Sequence, residues 1–91
     1  MATVLVPAAL RAETGGAVRV EVDSDGTVRT VLDEVAARWP RLERRVRDEA
    51  GQVRRYINIY VDGADVRHLA GQDTPVSAHA EVQILPSVAG G

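Results

Sequence analysis

The C-terminal stretch of the chain reads LPSVAGG, and any chemistry it performs must come from its backbone, because none of its side chains ionises. Two glycines at a terminus lose conformational freedom on ordering and bury nothing in return. Their placement points to the carboxylate of Gly91 as the functional group, with Val88, Ala89 and Gly90 as the stretch that carries it into a partner's active site. Five extended residues, 87–91, reach about 17 Å, enough to enter another protein's pocket while the domain stays outside. The remaining composition fits a terminus that becomes an activated acyl group. All eleven basic residues are arginine, and lysine and cysteine are absent, so no internal amine or thiol side chain competes for the acyl carbon. Codon bias in a GC-rich genome also explains the missing lysine, and the two explanations are compatible.

Elsewhere the reactive residue types do not converge. His68 and His79 stand alone, without ligands at zinc spacing, and are expected on the surface. Asp73 and Thr74 lack the partnered base that would make a nucleophile. The stretch DSDGTVRTVLDE sets Asp23, Asp25 and Glu34 at the first, third and twelfth positions of a calcium loop. Its sixth position is Val28, where the sharp turn needs glycine, so a turn leading into a helix explains the pattern better. No metal site is expected. The arginines from Arg38 to Arg47 are expected on a solvated helix face, with an acidic partner surface as the alternative.

A chain of 91 residues makes one small domain. It buries roughly 60–65% of its unfolded surface, which leaves room for a sheet and one good helix but not for a deep substrate cleft. That disfavours a self-sufficient enzyme. The net charge is -2 with both signs mixed along the chain, so no basic face suggests nucleic acid. No segment has the length of a membrane span, and the N-terminus lacks a signal-peptide layout. No membrane partner and a cytoplasmic location are therefore expected.

The elements that would hold the tail can be read from periodicity. Fifteen valines and no phenylalanine favour an aliphatic, strand-rich core. ATVLVP alternates as a strand stopped by Pro7, with Val4 and Val6 on one face and Thr3 and Leu5 on the other. AALRAETGG reads as a loop, and AVRVEVD as a strand with Val18, Val20 and Val22 inward, forming a hairpin with the first. Val28, Val31, Leu32, Val35, Ala36 and Trp39 make one apolar helical stripe, capped by Ser24, Asp25 or Thr27 and limited by Pro40. Leu42 and Val46 predict a short helical turn ended by Gly51. In the next strand Ile57, Ile59 and Val61 face the core, and Tyr56, Asn58 and Tyr60 face away. Asp62-Gly63 turns the chain into a short edge strand, ADVRHL. The last strand, EVQIL, places Val82 and Ile84 inward and is ended by Pro86. This order predicts an α+β, ubiquitin-like β-grasp: a mixed sheet of four to five strands, one main helix, and a flexible Gly-Gly tail. Residues 1–86 form the domain and 87–91 the tail. Leu5, Tyr56, Asn58, Tyr60 and Leu85 share the face away from the helix, as ordinary outward residues or as a docking patch for partner enzymes.

Three segments, LRAETGG, YINIYVDGADVR and ILPSVAGG, together with this order resemble the ubiquitin-like sulfur carriers. That family includes the small subunit of molybdopterin synthase and the thiamine-pathway carrier, and the segments look most like its CysO type. The resemblance implies that an E1-like enzyme adenylates the Gly91 carboxylate with ATP, and that a sulfurtransferase persulfide converts it to a thiocarboxylate. Gly90 and Gly91 would be required by a narrow activating channel. The carrier itself would bind no cofactor, the ATP being used by the activating partner, and would act as a cosubstrate rather than an enzyme. The implied partners are that activating enzyme and a sulfur-accepting synthase, with a metalloprotease that trims the tail afterwards. The synthase would be a cysteine synthase or, in similar carriers, a thiosugar or molybdopterin synthase. A protein modifier joined to target lysines through Gly91, or an interaction module with an inert tail, are the rival readings of the same fold.

Overall fold

The computed structural model describes residues 1–23 and 26–87. Five strands form one mixed sheet in the order β2-β1-β5-β3-β4. They are β1 (Ala2–Leu5), β2 (Arg19–Val22), β3 (Ile57–Val61), β4 (Ala64–Asp65) and β5 (Glu81–Pro86). The first and last strands lie side by side and parallel at the centre, while the other three pairings are antiparallel. Two helices, α1 (Val28–Arg38) and α2 (Pro40–Val46), complete the fold. Val4, Val22, Val82, Ile57, Ile59 and Ile84 from the strands meet Val31, Leu32, Val35, Leu42 and Val46 from the helices in one buried cluster. The apolar face of each element is the one its periodicity predicts, because a two-layer domain has only one interior in which to place it.

Helix α1 starts at Thr27 in a reciprocal cap. The Thr27 hydroxyl accepts from the Thr30 N–H at 3.3 Å, and the Thr30 hydroxyl accepts from the Thr27 N–H at 2.9 Å. Of the three expected capping residues, Ser24 and Asp25 lie outside the described residues. Pro40 does limit α1, and it also opens α2 at a first-turn position where a missing N–H costs nothing. Asp62 and Gly63 both take positive φ, 49° and 87°, as the tight turn between β3 and β4 requires.

The structure departs from the sequence expectations at several points. Ala8–Thr14, expected as a loop, is a 3₁₀ helix that buries Leu10 and Thr14. Val18, expected inward, lies one residue before β2 and is 53% exposed, because strand alternation does not extend into the connection. The edge strand ends after Ala64–Asp65: the Asp65 carboxylate accepts from the Arg67 N–H at 2.9 Å and starts a 3₁₀ turn, Val66–His68. A further 3₁₀ turn, Gly71–Asp73, occupies part of the expected loop. Helix α2 ends at Val46 rather than at Gly51, which instead takes φ 80° in the following turn.

The solvated-arginine expectation fails at one residue. Arg47 is only 6% exposed. Its Nε lies 2.9 Å from both Glu43 carboxylate oxygens, its Nη2 2.9 Å from Asp33 Oδ1, and its Nη1 donates to Gln72 Oε1 at 3.1 Å. Gln72 in turn donates to the Gly51 carbonyl at 2.7 Å. Burial by itself would lower the Arg47 pKa, but the hydrogen bonds and charges of Glu43 and Asp33 outweigh it and the value is raised. One side chain thus ties α1, α2 and the 71–73 turn together.

Candidate functional site

The expected tail residues Val88, Ala89, Gly90 and Gly91 lie outside the described residues, so the site is built from the elements that lead to them. β5 delivers the tail along the centre of the sheet. Its antiparallel register with β3 pairs Val61 with Val82, Tyr60 with Gln83, Asn58 with Leu85 and Ile57 with Pro86. At the β5 start the Asp62 N–H donates to the Glu81 carbonyl at 2.9 Å, and beyond its end the Ser87 N–H donates to the Tyr56 carbonyl. In an antiparallel pair, hydrogen-bonded positions alternate with unbonded ones. Both bonds belong to the same alternating set, so Ile57 and Pro86 form an unbonded pair, and Pro86 needs no N–H toward β3. That is why the strand continues through Pro86, where the sequence expectation ended it.

The five residues expected to face away from the helix do so. Tyr56 is 49% and Leu85 37% exposed, while Leu5, Asn58 and Tyr60 are half-buried. Register brings them together: Gln83 sits between Leu5 of β1 and Tyr60 of β3, and Leu85 is next along on the same face, opposite Asn58. Beside Leu5 and Leu85 runs an open groove of about 380 Å³, whose lining includes Pro7, Arg11, Val18 and Arg19. Arg11 uses its Nε to bond the Val6 carbonyl at 3.1 Å, and neither arginine forms an ion pair among the described residues. The groove mixes apolar side chains with Gln83, carries two arginines, and lies beside Leu85 near the end of β5. Sequence reasoning missed all three as members: the loop reading of the 8–16 segment gives Arg11 no defined position, alternation places Val18 inward, and Arg19 reads as an outward strand residue with no groove beside it.

A further pair lies at the tail root. Asn58 Nδ2 donates to Ser87 Oγ at 3.0 Å, a diagonal cross-strand bond on the outer face. Alternation turns Asn58 outward, but only the register shows that Ser87 lies two residues past its partner Leu85. His68 and His79 are exposed, and no group of three metal-ligating side chains occurs among the described residues. No described helix is long and apolar enough to cross a membrane.

A mixed sheet with parallel first and last strands, a helix packed across one face and a C-terminal strand leading outward define a ubiquitin-like β-grasp protein. Residues 4–91 match the ThiS family, and the chain belongs to it. It is 37% identical to the sulfur carrier protein CysO of Mycobacterium tuberculosis over 91 aligned positions, covering 98% of this chain and 97% of that one. It is also 35% identical to small archaeal modifier protein 1 of Haloferax volcanii over 82 positions, covering 88% and 90% of the two chains. Among solved structures, a chain of the Amycolatopsis orientalis BexX/CysO complex superposes with a TM-score of 0.91 at 37% identity, covering 100% of both chains. The crystal structure of M. tuberculosis CysO gives 0.88 at 34% identity, covering 97% of this chain and 100% of that one.

Proposed function

We propose that this protein is a sulfur carrier of the CysO type, a cytoplasmic cosubstrate rather than an enzyme, whose Gly91 carboxylate is converted to a thiocarboxylate. The observation that carries this reading is the family match across residues 4–91, reaching the terminal glycine pair, together with full-length identity to a named sulfur carrier. A carboxylate resists substitution until one oxygen belongs to a good leaving group. Adenylation by an E1-like partner with ATP supplies AMP as that group and releases pyrophosphate. Attack by sulfide on the acyl carbon then expels AMP and leaves –COS⁻. With a persulfide donor, its outer sulfur forms the bond to the acyl carbon as AMP leaves, and a second thiol then cleaves the retained S–S bond, leaving a disulfide on the donor and –COS⁻ on the carrier. The thiocarboxylate is a soft anionic nucleophile suited to an activated carbon held by a synthase, such as that of O-phosphoserine in cysteine formation, after which a metalloprotease would release the product. Leu5, Tyr56, Tyr60 and Leu85 serve as the docking face, and Val88, Ala89 and Gly90 enter the partner. The crystallised CysO–BexX assembly supports the idea that a carrier of this shape is held by a second protein.

The test is reconstitution with ATP, a sulfide source and the E1-like enzyme of the same cells, followed by intact mass. Formation of the thiocarboxylate, and its loss when Gly90 and Gly91 are deleted, is expected. The modifier reading has its own support in the archaeal modifier relatives. It predicts isopeptide-linked conjugates in cell extract that disappear with the same deletion.

A further inference from the structure

We infer that Asn58 is a positioning residue for the tail, acting through Ser87, rather than a contact for the partner. This rests on the sulfur-carrier reading. Ser87 is the last described residue, and it is held twice: its N–H donates to the Tyr56 carbonyl, and its hydroxyl accepts from the Asn58 amide at 3.0 Å. The backbone bond carries the β5–β3 ladder one step past Pro86, where β5 ends, and the side-chain bond lies outside the ladder. Pro86 contributes no donor of its own, so without Asn58 the root beyond it would hang on a single backbone bond at a sheet terminus, where pairing frays most readily. The Asn58 backbone sits inside β3, opposite Leu85, with Ile57 and Ile59 on either side almost fully buried. Its side chain therefore projects from the rigid part of the sheet.

The consequence is a defined reach. With Ser87 fixed, four residues separate the sheet from the Gly91 carboxylate, and they span at most about 14 Å when extended. A partner that docks on the outer face then meets the carboxylate within that distance of a fixed root. Loosening the root spreads that distance and lowers the fraction of docked complexes in which the carboxyl carbon sits in the activating site. Such a defect falls on kcat, whereas loss of a docking contact falls on KM.

The experiment pairs two readouts across Asn58→Ala, Ser87→Ala, the double variant and Ser87→Thr. On the free protein, amide hydrogen-exchange protection at position 87, corrected for intrinsic rates, should fall about fivefold in each single variant and no further in the double, the size expected for one hydrogen bond. Ser87→Thr keeps the hydroxyl and should keep the protection. With the activating enzyme and ATP, kcat for adenylation should fall about fivefold with KM within about twofold in both alanine variants, and Ser87→Thr should restore it. Unchanged protection in Asn58→Ala would overturn the inference. So would a KM increase at constant kcat confined to Asn58→Ala, which would make Asn58 a partner contact. A wild-type chain that is never adenylated would instead overturn the carrier reading and the delivery role with it. The exchange data, taken on the free protein, tell that failure apart from failure of the anchor.

Discussion

Arg47 is the one charged side chain in the core among the described residues, and its partners decide what losing it costs. Glu43 and Asp33 stay 24% and 61% exposed, so water takes over much of their solvation when the guanidinium goes. Arg47→Ala should therefore destabilise by about 2 kcal/mol, below the 3–5 typical of a fully buried pair, and lower Tm by roughly 10 °C. Because the folded pKa is raised, this stabilisation is complete below the unfolded arginine value and is lost only above the folded one. Urea unfolding should accordingly show the same Arg47→Ala loss at about pH 6 and about pH 9, and a loss that changed between them would refute the assignment. Glu43 lies four residues before Arg47 in the run RLERRVRDE, but Arg44 and Arg45 have acids at the same spacing in Asp48 and Glu49, and the other partners, Asp33 and Gln72, come from other elements. Leu85 was legible, because alternation alone turns it outward. As an exposed residue it should tolerate Leu85→Glu without loss of stability, while KM for the activating enzyme rises about tenfold or more.

The local rules that worked at the element scale were those carried by a single segment. The α1 stripe and the Asp62-Gly63 turn needed no tertiary information, and Thr27→Ala should cost about 1 kcal/mol by thermal unfolding through loss of its half of the cap. Gly26 belongs to the same device: a Cβ there would lie 2.9 Å from Thr30 Oγ1, so Gly26→Ala should displace that hydroxyl and destabilise by a similar amount. The rules that failed depended on a neighbour. Pro86 reads as a strand terminator until the register shows its nitrogen turned away from β3. ADVRHL reads as a strand until Asp65 accepts from the Arg67 N–H and curls the chain, which buries Val66. The 8–14 segment carries no period that separates a 3₁₀ helix from a loop, yet it forms one wall of the groove beside Leu85.

The whole molecule is a small aliphatic core that presents one chain end. The sequence of elements implies a mixed sheet but not its strand order; the parallel pairing of β1 with β5 needs a crossover, which here the rest of the chain between them supplies. The core is thin, so Ile59→Ala at the centre of β3 should cost about 2–5 kcal/mol and leave little folded protein at 37 °C. The candidate site was half legible: the outward residues of β1, β3 and β5 follow from alternation, whereas the arginine-flanked groove and the Ser87 anchor exist only once the sheet is assembled. The proposed function lies neither in the core nor in the groove but at the carboxyl carbon of the chain end. The measurement that tests it most directly is the intact mass of the protein taken from its native cells. A species heavier by the difference between sulfur and oxygen, absent when Gly91 is deleted, is the expected result. Only the unmodified mass, persisting after incubation with ATP, a sulfide source and the cell's E1-like enzyme, would contradict it.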